Sequence, residues 1–182
     1  AMGDGDNATV SLYKNGRLER LYRTDRFIVG RLYRHATLIL NMKLTEHEYK
    51  LMGLAPYSKP YHSDLPYLTY SKALSIKGLE VDFNERPSDS YFYFQEKLKG
   101  VRFDGIAGGI QRFTEDLICH WFSNWMNHKG LRQIAFSGGV SMNVKANLEV
   151  LQRCRPDLFL VPGSGGDESL AIGACYLFAM QQ

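Results

Sequence analysis

The sequence predicts an α/β domain in which an N-terminal β-hairpin is followed by helices and a C-terminal β-α-β-α unit. Three observations carry that expectation. Asn15–Gly16 lies between strand-like flanks in "TVSLYKNGRLERLYR", residues 9 to 23, and this dipeptide supplies the positive φ angles that a two-residue hairpin loop needs. In "IAFSGGVSMNVKANLEVL", residues 134 to 151, an apolar run stops at Ser137, Gly138 and Gly139 and helical spacing begins at once. The same arrangement returns in "LFLVPGSGGDESLAIGACYL", residues 158 to 177, at Gly165 and Gly166. Two strands joined by a single helix pair in parallel in most cases.

The remaining elements follow in chain order. Residues 27 to 41 place apolar side chains at 28, 32, 35/36 and 39, a helical spacing. A short helix is predicted from Thr45, with Glu48 completing a capping box, to a break at Pro56. Residues 57 to 103 are Tyr-rich and broken by Pro60, Pro66 and Pro87. They read as an insertion over 60–103, with a helix near 64–74, a strand near 75–83 and a helix near 88–99. A long helix over 104–128 carries Ile110, Phe113, Leu117, Trp121 and Trp125 on one stripe. Strands at 132–136 and 157–161 alternate with helices at 140–152 and 167–180.

With 182 residues, 45% of them hydrophobic, the chain has material for one core. A net charge of +3, from 22 basic and 19 acidic side chains that are scattered, does not point to nucleic acid. The apolar runs are too short for a membrane span. The Gly- and Asp-rich start offers no secretion signal, and Cys119, Cys154 and Cys175 form no Cys-x-x-Cys pair. Free thiols in a reducing cytoplasm are therefore expected.

Both glycine turns fall at the carboxyl ends of strands, where parallel α/β sheets bind ligands. Glycine lets a backbone approach a ligand closely, and a helix N-terminus offers unpaired N–H groups. Two such turns can form one wall of a nucleotide or phosphate pocket, or can simply permit tight connections. Neither matches the dinucleotide fingerprint or the P-loop. Asp167, after Gly165–Gly166, is either a helix cap or a metal or phosphate-site carboxylate. His35, His47, His62, His120 and His128 include no pair four residues apart, so no metal cage is expected from histidines alone.

Taken together, "EHEYKLMGLAPYS" (46–58), "FSGGVSMNVKAN" (136–147) and "PGSGGDESLAIGA" (162–174) resemble the NodU/CmcH-type carbamoyltransferases. The first domain of that family belongs to the actin-like ATPase and sugar-kinase superfamily and is similar to the enzyme that makes threonylcarbamoyladenosine in tRNA. The motifs cover about 40 residues, in the family's order. The resemblance implies a ribonuclease-H-like lobe, present here as a single partial domain over residues 1–182, with 60–103 as a family-variable insertion.

It further implies that Ser137, Gly138, Gly139, Val140 and Asn143 form an adenosine-binding turn. Gly165, Gly166 and Asp167 match the second turn, whose aspartate is a metal ligand in the family. Glu48 and Lys50 match a Glu-x-x-Lys-like segment beside the ribose or phosphates. Gly3 and Asp4 match the end of a phosphate motif whose leading Asp is absent. Ser169 and Ser58 stand where glycines are usual.

The implied cofactors are ATP or carbamoyl-adenylate and a divalent metal of the iron, manganese or zinc kind, with further ligands outside this chain. The implied partners are a missing N-terminal lobe, a YrdC-like carbamoyl-adenylate-forming domain, a small-molecule hydroxyl acceptor and a second copy of the chain. A kinase or ATPase of the same superfamily, or a non-catalytic nucleotide-binding remnant, is the alternative expectation. An apolar face left by the missing lobe is expected at Trp121, Trp125 or the aromatics 91–94.

Overall fold

A computed structural model describes residues 5–180, so the expectations placed on Gly3 and Asp4 lie outside the described residues. The chain forms a mixed α/β structure with seven α-helices and three two-stranded sheets among those residues.

Strands β1 (Ala8–Lys14) and β2 (Arg17–Thr24) make the predicted hairpin, antiparallel and closed by the Lys14↔Arg17 pair. Asn15 and Gly16 both take positive φ, at 51° and 74°, the mirror-image turn that matches strand twist. Tyr22 packs its ring against Trp121 and Trp125, and its hydroxyl accepts a hydrogen bond from the Val81 N–H at 3.2 Å.

Helix α1 (Val29–Ile39) buries Val29, Leu32, Tyr33, Ala36 and Thr37. The buried stripe is rotated from the expected 28/32/36/39 because two polar ends are satisfied inside. Tyr33 donates to Gln111 Oε1 at 2.6 Å, and Thr37 donates to the Tyr33 carbonyl at 2.9 Å. Helix α2 (Glu48–Leu54) begins later than expected, at Glu48. Only half of the capping box forms. Glu48 Oε1 accepts from the Thr45 N–H at 2.8 Å, whereas the Thr45 hydroxyl turns to the Leu44 carbonyl.

The 60–103 segment is part of the core. Helix α3 (Pro60–Ala73) starts earlier than expected, because Pro60 occupies its first turn, where a missing N–H costs nothing. The single strand expected over 75–83 is a hairpin, β3 (Leu74–Lys77) and β4 (Glu80–Phe83), turning at Gly78–Leu79. Helix α4 (Ser90–Lys97) is capped by Asp89, which accepts from the Phe92 N–H at 3.1 Å. Tyr70, Leu74, Val81, Phe94 and Leu98 from this segment are fully buried.

Helix α5 (Phe103–Lys129) is the mast of the fold. Its glycines face α3. A Cβ on Gly105 would lie 2.5 Å from the His62 carbonyl oxygen, one on Gly108 2.7 Å from Ser58 Cβ, and one on Gly109 2.8 Å from the Tyr67 nitrogen. The α3 backbone can approach only because that face carries no side chains. Further along, Trp121 donates to the Leu79 carbonyl at 2.8 Å and Asn124 to the Gly78 carbonyl at 2.6 Å, holding the β3–β4 turn.

Strands β5 (Gln133–Ala135) and β6 (Leu158–Leu160) pair in parallel, as expected. Between them the expected single helix is broken. A 3₁₀ turn over Gly139–Met142 precedes α6 (Val144–Glu149), because Asn143 caps α6 by accepting from the Ala146 N–H at 3.0 Å. A π-turn over Val150–Cys154 follows. Cys119, Cys154 and Cys175 are free, and Cys154 contacts Ser123 Oγ at 3.3 Å and the Cys119 carbonyl at 3.4 Å.

Helix α7 (Ser169–Ala179) buries none of its residues. Trp121, one expected position of the apolar face, is buried, stacked on Phe27, and Trp125 is half-buried. Of the 91–94 aromatics only Phe92 is open. A further run of exposed apolar side chains lies on α7, at Leu170, Ile172, Tyr176, Leu177 and Phe178. An 11-residue helix without packing is marginal in water, and a patch of this kind drives association. Light scattering is expected to show concentration-dependent oligomers, which the double change Leu170→Glu/Phe178→Glu removes. A monodisperse wild-type monomer at high concentration would contradict this.

Candidate functional site

The two glycine turns touch. The Gly138 N–H donates to the Gly165 carbonyl at 2.8 Å, next to the last strand-like bond, Phe136 N–H to the Leu160 carbonyl, also 2.8 Å. Gly138 has φ 104° and ψ 162°, a region essentially closed to side chains. Gly165 is needed for a different reason. A Cβ there would come 3.1 Å from the Gly138 carbonyl oxygen and would strike the fully buried Ser141 hydroxyl. Gly139 meets neither limit. No atom lies within 4 Å of where its Cβ would be, and it faces open space at the rim of two cavities.

The first cavity, about 410 Å³, is a cleft between the start of α1, the start of α2 and the Gly139–Asn143 turn. Phe27, Ile28, Val29, Tyr49, Met52, Val140 and Met142 make it apolar, and Glu48 is its acid. This volume suits a nucleoside-sized ligand. The second, a groove of about 520 Å³, lies between β1, β5 and the aromatics Trp121, Phe122 and Trp125.

Of the residues singled out by sequence, Glu48, Gly139, Val140 and Asn143 share the 410 Å³ cleft. Ser137 and Gly138 line the other groove. Lys50 lies outside both, against His47 Nε2 at 2.9 Å and the Tyr49 ring. Gly165 and Gly166 pin the turns without lining either cavity.

Asp167 precedes α7, whose N-terminus has no side-chain cap bond. Its carboxylate is exposed, with no hydrogen-bond or ion-pair partner among the described residues. No group of three His, Cys, Asp or Glu able to hold a metal occurs among the described residues. Asp167 alone therefore does not make a metal site.

Sequence reasoning passed over the network behind the turn. Gln111 and Asn143 form a reciprocal amide pair, each Nδ2 or Nε2 donating to the other's oxygen at 3.0 Å. Gln111 also accepts from Tyr33 at 2.6 Å and donates to Glu115 at 2.7 Å. Burial, reinforced by the Glu115 charge, pushes the Tyr33 hydroxyl far above its ordinary range, and burial also raises Glu115. Tyr33 therefore stays a neutral donor, and Asn143, which lines the cleft, is held by this network. The available signal was Gln111 itself, an uncharged polar residue beside Ile110 on the apolar stripe of a long helix.

Against this geometry, a family model described as carbamoyltransferase N-terminus matches residues 1–176. A protein of Methanocaldococcus jannaschii is 28% identical over 189 residues, covering 94% of this chain and 34% of its own length. A protein of Synechocystis is 28% identical over 165 residues, with coverages of 80% and 26%. The nodulation protein NolO of Bradyrhizobium diazoefficiens is 24% identical over 138 residues, with coverages of 74% and 25%. The chain thus spans about a third or less of the length of the curated relatives it matches.

The different needs of the two adjacent glycines are open to test by urea unfolding. Gly138→Ala is expected to cost about 1–3 kcal/mol, the usual range for a forced backbone conformation. Gly139→Ala is expected to stay within about 0.5 kcal/mol of wild type. Equal losses at both positions would contradict the assignment.

Proposed function

We propose that this chain, which belongs to the carbamoyltransferase N-terminus family, supplies one wall of a nucleotide cleft in an ATP-dependent O-carbamoyltransferase. The observation that carries the reading is the convergence of Glu48, Gly139, Val140 and Asn143 on one apolar cleft. They come from two motifs about 90 residues apart. The β5-α6-β6-α7 order with its parallel pair supports a ribonuclease-H-like lobe of the actin-like ATPase superfamily. The free cysteines fit a reducing cytoplasm. No helix among the described residues is long and apolar enough to cross a membrane.

In this reading ATP, or the carbamoyl-adenylate derived from it, supplies an activated carbamoyl group for transfer to the hydroxyl of a small molecule. The chain's own residues bind and orient. Val29, Met52, Val140 and Met142 cover an apolar ring and exclude water. Glu48 keeps one carboxylate oxygen, beyond the Thr45 bond, for ligand hydroxyls. Gly139 leaves backbone room at the rim. Asp167 would be one ligand of a divalent metal. It stands without neighbours of the right kind among the described residues, so the other ligands would have to come from outside this chain.

Calorimetric titration with ADP tests the reading. Saturable binding is expected, and Gly139→Trp, which fills the rim, is expected to abolish it. Binding unaffected by Gly139→Trp would move the nucleotide elsewhere. In a carbamoyltransferase that carries this chain together with the remaining domains, Asp167→Asn is expected to leave stability within about 1 kcal/mol while removing metal-dependent carbamoyl transfer. Retained transfer would withdraw Asp167 from the metal.

A further inference from the structure

Helix α1 presents Gly30, Tyr33, Arg34 and Thr37 on one face, at spacings of three and four. That face looks toward the glycine turn: a Cβ on Gly30 would lie 3.6 Å from Val140 Cγ2. Arg34 lines the 410 Å³ cleft, whose one acid among the described residues, Glu48, is engaged with the Thr45 N–H. The Nε of Arg34 is buried and has no hydrogen-bond partner among the described residues. No ion pair of Arg34 occurs among them either. A buried donor on a charged group is costly to leave unmade, and a guanidinium is satisfied best by a planar or tetrahedral oxyanion.

We propose that Arg34 is an anion subsite of this cleft and takes a phosphate or carboxylate of the bound ligand. The surroundings fit. His35, the next residue, is held below its ordinary pKa by burial first and by Arg31 second, with Arg34 adding to the effect and Asp89 opposing it. The ligand so defined joins an apolar ring to an oxyanion, or pairs such a ring with a separate anionic molecule. The proposal rests on the nucleotide reading for the ring, but not for the anion.

The test is calorimetry on the full chain with adenosine, AMP and inorganic phosphate, for wild type, Arg34→Gln and Arg34→Lys. In wild type, AMP is expected to bind about tenfold tighter than adenosine. Arg34→Gln is expected to erase that advantage without changing adenosine affinity, and Arg34→Lys to restore part of it. A second molecule's anion gives another supporting pattern: AMP and adenosine bind equally, phosphate binds adenosine-saturated wild type, and Arg34→Gln loses that phosphate. The subsite is overturned if the AMP advantage persists in Arg34→Gln, or if neither AMP nor phosphate gains anything from Arg34. If adenosine and AMP both fail to bind, the nucleotide reading falls. Phosphate alone, wild type against Arg34→Gln, then decides the subsite.

Discussion

A side chain on Gly108 or Gly109 would run into Ser58, Ser63 or the Pro66–Tyr67 backbone. The face of α5 that meets α3 must therefore be bare, and most of the fold follows from that constraint. Overpacking of a well-filled contact costs about 1–3 kcal/mol even where side chains can move, and here the neighbours include backbone. Bringing α3 so close sets the β3–β4 hairpin at the far end of α5, where Trp121 and Asn124 hold its turn. It also leaves an adjoining face of α5 for α1 and the glycine turn, which meet it through Tyr33, Gln111 and Asn143.

The cleft inherits its shape from this arrangement. Its walls come from α1, α2 and the Gly139–Asn143 turn, three segments that do not pair with one another as strands. What fixes them is polar and internal. The amide pair ties the turn to α5, the Tyr33 hydroxyl ties α1 to the same glutamine, and the Gly138–Gly165 bond ties the turn to its partner. Such a network is valuable only when every member is satisfied. Two buried polar atoms around this site have no partner among the described residues, the Arg34 Nε and the Ser141 Oγ of the turn itself.

Much of this was legible in the sequence, and the rest was hidden for identifiable reasons. Asn15–Gly16 and the two glycine turns announced the hairpin and the parallel pair, because backbone geometry there demands particular residues. The motif resemblance that singled out Glu48 and Val140 is borne out at the level of the family, and the two residues line one cleft. In the segment 60–103 both helices were found near their places, but the first was started too late and the β3–β4 hairpin was read as one strand. Pro60 in fact opens α3, and the glycines that receive α3 lie more than 40 residues away. The apolar stripe of α5 was found, but Gln111 within it was passed over, because a polar residue in a buried stripe gains meaning only from a distant partner. Of the positions expected for an exposed apolar face, Trp121, Trp125 and the aromatics 91–94, Phe92 is open while Phe27 and the β3–β4 turn cover Trp121, and α7 carries exposed apolar side chains that were not expected.

The central claim is that the cleft between α1, α2 and the Gly139–Asn143 turn is where this chain holds a nucleotide. Photolabelling with 8-azido-ATP, followed by peptide mapping, tests it most directly. The account predicts label confined to peptides containing residues 27–34, 45–52 and 139–143, and suppressed by excess ATP. Label concentrated on β1 and β5 along the other groove, or spread over the surface and indifferent to ATP, would contradict it.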